Sequence, residues 1–142
     1  MKLGTFYIIT KDIEGSVDFY GKLLQEAPIY RNENRWVQFS NFIALYNPSY
    51  DKSIIPDAAN ENFNQAYIDD VNTERGEAKN NTVVVNFVVD DLDDEYQRLK
   101  ELNIGALSEL MYLNVFMPYW YFNITDPDGN VIEITGNKRR AQ

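Results

Sequence analysis

The chain contains neither cysteine nor histidine. Without cysteine there are no disulfides, no thiolate nucleophiles and no cysteine-based zinc sites. Without histidine the commonest general base and the commonest transition-metal ligand are both missing. Most hydrolase triads and most zinc or iron enzymes are thereby disfavoured, and any metal would need oxygen ligands. Long apolar runs are lacking too. No stretch would span a bilayer, and the opening MKLGTFYIIT has no small-residue cleavage site, so it is expected to be a first strand and not a signal peptide. Basic residues are in deficit, 13 Lys and Arg against 22 Asp and Glu, a formal charge of −9. A phosphate backbone needs a basic face, so nucleic acid is not an expected partner, and neither is a membrane. The one basic cluster, NKRRAQ, reads as a frayed, solvated tail. A soluble cytoplasmic protein is the expectation.

What is present is enough for a core. Apolar residues make up 44% of 142 residues, which fits one domain or two small fused halves. Leu3 to Thr10 is rich in β-branched and aromatic residues and predicts a strand. In DIEGSVDFYGKLLQ, the residues Ser16, Phe19, Tyr20, Leu23 and Leu24 fall at helical spacing, with Asp12 as N-cap. Three short strands are expected at Pro28 to Asn32, Arg35 to Ser40 and Phe42 to Tyr46. From Asn47 to Asn81 the pattern weakens into a polar stretch, read as a long connection with a flap carrying Phe63 and Tyr67. Strand character returns in TVVVNFVV. DDLDDEYQRLKELN predicts a helix with Leu92, Tyr96, Leu99 and Leu102 on one face. Strands are then expected at Ala106 to Leu113, Pro118 to Ile124 and Asn130 to Thr135. The acidic run DDLDDE lacks the spacing and glycine of a calcium loop and reads as carboxylates at a helix N-terminus.

The order of elements repeats, and so do the residues. IITKDIE at 8–14 matches FVVDDLD at 87–93 with an offset of about 79, and NFIAL at 41–45 matches NVIEI at 130–134 with an offset of about 89. The expected fold is therefore α+β: two paired βαβββ modules, 1–47 and 82–137, forming a half-open, trough-like mixed sheet. Residues 48–81 are the linker or flap and 138–142 the basic tail. Each module's helix covers one sheet face, and the uncovered faces line a trough, a natural ligand site.

KDIEGSVDFYGKLL, FVVDDLDDEYQRL and the closing DPDGNVIEITG together resemble the vicinal oxygen chelate superfamily, which includes glyoxalase I, extradiol dioxygenases, fosfomycin-resistance enzymes and bleomycin-resistance proteins. In its metal-dependent members four side chains from the first and last strands of each module hold the ion. By position, the resemblance carries those places to Thr5, Ala44, Val84 and Glu133. Only Glu133 is a metal-binding group of consequence, so neither a metal nor another cofactor is expected. Glyoxalase, dioxygenase and fosfomycin-transferase activities, which need the ion, are disfavoured. The chain looks most like the metal-free bleomycin-resistance branch, whose members bind a drug without transforming it and form dimers; a homodimer is the corresponding expectation.

Strand alternation names the trough lining. Thr5, Tyr7, Trp36, Gln38, Phe42, Ala44, Tyr46, Val84, Asn86, Tyr119, Tyr121 and Glu133 are the candidate ligand-binding residues, with Val131 and Thr135 on the same face as Glu133. This surface suits a flat or cationic organic molecule. Against it stands the plain reading that aromatic residues in strands pack the sheet. Glu133 keeps three readings: a relic hydrogen-bonding within the trough, a contact to a cationic ligand, or the acid/base of a metal-independent lyase or isomerase.

Overall fold

The computed structural model describes residues 1–2, 5–40, 43–72, 83–114 and 117–139. The chain divides into two compact units, Met1–Lys79 and Asn80–Gln142. The first contains β1 (Phe6–Ile9), α1 (Ile13–Leu24), β2 (Tyr30–Asn32), β3 (Trp36–Gln38) and β4 (Ile43–Tyr46), then α2 (Pro48–Asn62) and α3 (Gln65–Val71). The second contains β5 (Val85–Val89), α4 (Leu92–Leu102), β6 (Met111–Asn114), β7 (Pro118–Thr125) and β8 (Val131–Gly136). Strand order is β1-β4-β3-β2 in one sheet and β5-β8-β7-β6 in the other. In each, the first strand lies parallel to the last and the remaining pairs are antiparallel. No helix among the described residues is long and apolar enough to cross a membrane.

The repeat is visible in the local chemistry. Asp12 and Asp91 are both N-caps, accepting from the backbone N–H groups of Gly15 and Asp94. Both helices end on a residue in the left-handed region, Gln25 and Asn103. Alternation sorts the strands: Val37, Leu45, Phe122, Ile124, Ile132 and Ile134 are buried with Phe19, Tyr20, Leu92 and Leu99 of the helices. Leu102, expected on the buried stripe of α4, is 41% exposed at the fraying end of the helix. The expected strand from Ala106 shortens to β6, and Leu107 makes only an isolated bridge to Ile124.

The stretch from Asn47, expected as a connection, carries two helices. Asn47 caps α2 by accepting from the Ser49 N–H, and Pro48 stands at the first turn, where its missing N–H costs nothing. What holds the helices to the sheet is Asp51, 0% exposed. Its carboxylate accepts from Arg35 Nε (2.7 Å) and Nη2 (3.1 Å) on the approach to β3, from the Tyr46 hydroxyl of β4 (2.8 Å), and from the Tyr67 hydroxyl of α3. Phe63 stacks on Tyr67 with ring centroids 5.3 Å apart. Burial alone pushes the Asp51 carboxyl up. The hydrogen bonds from Arg35, Tyr67 and Tyr46 outweigh it and hold the group below the ordinary carboxylate range. The same network raises Arg35, first through its bond to Asp51, and raises the Tyr46 phenol, first through burial and then through Tyr67 and Asp51.

The basic segment is not free where it is described. Lys138 pairs with Asp93, and Arg139 bonds Asp91 (2.7 Å) and Asp94 (2.6 Å), while the Leu92 N–H donates to Asn137 O. The acidic run at the start of α4 thus faces both the helix dipole and two cations. Asp91 is held below its usual value, first by the Asp94 N–H.

Two stability outcomes follow. Replacing Asp51 with Asn removes the charge that Arg35 faces. Arg35 keeps 33% of its side chain exposed, so solvent screens the pair, and the expected loss is about 2 kcal/mol at pH 7. Because the folded pKa of Asp51 is depressed, its contribution is full above the unfolded value of about 4 and is lost as pH falls through the folded one. Urea unfolding should therefore show wild type and Asp51→Asn converging as pH drops below about 4; a gap that persists to strongly acidic pH would refute this account. Asp126→Ala, which strips the acceptor from the N–H groups of Asp128 and Asn130 in the β7–β8 turn, should cost about 2 kcal/mol at neutral pH by the same measurement.

Candidate functional site

Each unit brings together one cluster of candidate residues on the sheet face opposite its crossover helix. In the first unit the parallel ladder sets Tyr7 beside Ala44, and the antiparallel one sets Trp36 beside Tyr46 and Gln38 beside Ala44. The three aromatic side chains converge. Tyr7 lies 5.3 Å from Trp36 and 6.0 Å from Tyr46, centroid to centroid, the latter pair edge to face, and Trp36 lies 6.4 Å from Tyr46. Ala44, fully buried among them, contributes only a methyl group. The Arg35 guanidinium sits 5.3 Å over the Tyr46 ring. Over this floor α2 and α3 bring Pro48, Tyr67 and Val71, and the residues enclose a cavity of ≈ 190 Å³.

In the second unit β8 sets Glu133 beside Asn86 of β5 and Asn123 of β7. Glu133 Oε1 accepts from Asn86 Nδ2 at 2.8 Å and from the Tyr119 hydroxyl at 2.7 Å. Tyr121 lies 5.7 Å from Tyr119. The turn that delivers β8 explains the DPDG motif. Asp126 Oδ1 accepts from the backbone of Asp128 and Asn130, and Gly129 takes a positive φ of 85°, which favours glycine. Opposite, Thr135 is buried and donates to Trp120 O at 2.7 Å, closing that end of the face.

Other candidates lie apart. Thr5 and Val84 precede their strands and are exposed. Phe42 lies outside the described residues. The neighbours of Ala44 and Glu133 across the parallel ladders are Tyr7 and Asn86, two residues beyond Thr5 and Val84. This register allows the fit of a metal to be judged on donor chemistry. Ala44 and Val84 have no side-chain donor, and moving along the strands offers a phenol and an amide in place of histidine or carboxylate. Glu133 already accepts two hydrogen bonds through one oxygen. The residues do not fit the divalent ion of the metal-dependent relatives, and among the described residues no cluster of three or more acidic side chains stands in for them. Sequence reasoning missed Arg35, Asp51 and Tyr67. A signal existed in NPSYD, where an N-cap asparagine, a first-turn proline and an acidic residue announce a helix start.

The comparisons agree with this architecture. The model of the glyoxalase-like domain matches residues 3–137. No curated protein matches the chain. Among solved structures, a protein of unknown function from Agrobacterium tumefaciens str. C58 superposes with a TM-score of 0.64 at 19% identity, covering 96% of this chain and 94% of its own. A lactoylglutathione lyase from Agrobacterium tumefaciens gives 0.59 at 14% identity, covering 96% and 93%. A bleomycin resistance determinant encoded on the transposon Tn5 gives 0.59 at 12% identity, covering 96% and 98%. At these identities the structures speak for the fold, and the domain match speaks for the family. With its two βαβββ units and its closing DPDGNVIEITG, the chain belongs to the glyoxalase-like domain family of the vicinal oxygen chelate superfamily.

Proposed function

We propose that this protein binds a small aromatic molecule on the aromatic face of its first unit, without a metal and without transforming it. The observation that carries the reading is the cavity of ≈ 190 Å³ over Tyr7, Trp36 and Tyr46, with Tyr67 and Val71 as its cover. Typical sites for drug-sized ligands run to about 300–1,000 Å³, so this one suits a single ring system or the aromatic end of a larger compound. Ring-to-ring contacts contribute about 0.5–1.5 kcal/mol each beyond area burial, enough to select flat ligands over aliphatic ones. A bleomycin resistance determinant shares the fold, and sequestration of an organic compound is the role read here for this chain.

A second reading, a metal-independent lyase or isomerase, rests on one contact. The Tyr119 phenol donates to Glu133 at 2.7 Å, which sets a proton donor against a carboxylate. Weighing against it, Asn86 donates to the same oxygen, an arrangement that satisfies the group instead of leaving it poised.

A thermal-shift and calorimetric screen of one- and two-ring aromatic compounds, run with EDTA present, tests the binding reading. Stabilisation by a subset of them, weakened at least tenfold by Trp36→Ala and unchanged by Glu133→Gln, is the expected result. Turnover of any hit that disappears in Glu133→Gln would transfer the conclusion to the enzyme. Titration with Mn²⁺, Ni²⁺ or Zn²⁺ should reveal no micromolar site sensitive to Glu133→Ala.

A further inference from the structure

Resting on that binding reading, we propose that the first-unit cavity selects aryl carboxylates: a flat ring that carries an anionic hydrogen-bond acceptor, and not a cation. The argument begins with what Asp51 can still do. An ionised carboxylate offers about four lone-pair sites. Arg35 Nε and Nη2 and the Tyr46 and Tyr67 hydroxyls direct four donors at its two oxygens. Three of them reach Oδ2 and Arg35 Nε reaches Oδ1, Asp51 is 0% exposed, and its charge is matched by Arg35. Buried behind those donors, the carboxylate presents no exposed surface to an ammonium group.

The aromatic surface does not replace it as a cation site. The rings of Tyr7, Trp36 and Tyr46 pack on one another at 5.3–6.4 Å, as a floor and not as separated walls. A guanidinium already lies over the Tyr46 ring, and a second cation would meet Arg35 at close range.

What faces the cavity is donor-rich. Arg35 is the one charged residue among its described lining, and the fork to Asp51 engages two of its five N–H groups. Trp36 carries a donor-only indole N–H, and neither it nor the Tyr7 hydroxyl makes a side-chain hydrogen bond among the described residues. A ring lying on the floor with its carboxylate toward these groups would gain stacking and charge-assisted hydrogen bonds together. The chain's net charge of −9 opposes anions in general, so a preference for one must come from the cavity itself.

The test is an NMR titration of the ¹⁵N-labelled full chain with benzoate, benzylammonium and toluene at pH 7 and fixed ionic strength. Benzoate is expected to shift the Trp36 indole N–H and the Tyr7 and Val71 amides, with a Kd at least fivefold below that of benzylammonium. Tyr7→Phe keeps the ring and removes a hydroxyl that makes no side-chain hydrogen bond among the described residues, so it should fold normally. It is expected to weaken benzoate about tenfold and leave toluene unchanged. Benzylammonium or toluene binding at these residues as tightly as benzoate would overturn the carboxylate assignment and leave the aromatic site standing. A benzoate preference indifferent to Tyr7→Phe would overturn the donor argument. If none of the three probes moves the Trp36, Tyr7 and Val71 signals, both the selectivity and the binding reading fail.

Discussion

The pairing of each unit's first strand with its last is the constraint on which the rest depends. Parallel neighbours cannot be joined by a tight turn, so the chain must leave the sheet and return. In the first unit β1 and β4 are joined in that way through α1, β2 and β3, and in the second β5 and β8 through α4, β6 and β7. The register then fixes the faces. Setting Tyr7 beside Ala44 and Asn86 beside Glu133 turns Ile8, Leu45, Ile132 and Ile134 inward, because side chains alternate along a strand. A slip of one residue in the β5–β8 ladder would bury Glu133 among isoleucines. The apolar face therefore specifies the register, and the register delivers the polar and aromatic residues to the other side.

That logic was legible in the amino-acid order to different depths. Helices α1 and α4 could be read because cap, period and stop signals coincide. Asp12 and Asp91 begin them, and Phe19, Tyr20, Leu23, Leu92 and Leu99 repeat at helical spacing. The duplication could be read because it constrains every element twice. Helices α2 and α3 could not be read from periodicity. Pro56 stands inside α2, a residue that argues against a helix there, and what ties α2 to the sheet is one buried carboxylate that reaches back to Arg35 and Tyr46. An interaction between residues 16 positions apart leaves no periodic trace. The docked segment at Lys138 and Arg139 escaped for the same reason, since its partners Asp93 and Asp91 lie more than forty residues earlier. For the candidate site, alternation supplied the faces but not the contacts. It named Tyr7, Trp36, Tyr46, Tyr119 and Glu133, yet only coordinates show that Tyr119 reaches Glu133, and that Thr5 and Val84 stand outside the strands.

The pairing of half-buried Arg35 with buried Asp51 also explains why a polar, proline-bearing stretch can cover an aromatic surface. A charge removed from water is costly unless its partners are in place. Four donors to one carboxylate meet that requirement in a single geometry, so α2 and α3 are held in one position over Tyr46 and not merely attracted to it. The cover is specific where it is polar. Its apolar contribution, Pro48 and Val71, is small and adaptable.

The internal repeat makes the two units each other's control. Ala44 and Glu133 occupy equivalent places on β4 and β8, and Tyr7 and Asn86 equivalent places on β1 and β5. In the second unit a carboxylate is tolerated because Asn86 and Tyr119 donate to it. In the first unit the corresponding neighbour is the tyrosine Tyr7, packed against Trp36 and Tyr46, and the phenol of Tyr46 is already committed to Asp51. A carboxylate at position 44, which is 0% exposed, would lose its hydration and would need a donor such as the Tyr7 hydroxyl turned toward it to offset that loss. Alanine avoids that desolvation. Alanine at 44, where the resemblance places a metal ligand, offers no side-chain donor and lies beside Tyr7 on the aromatic floor.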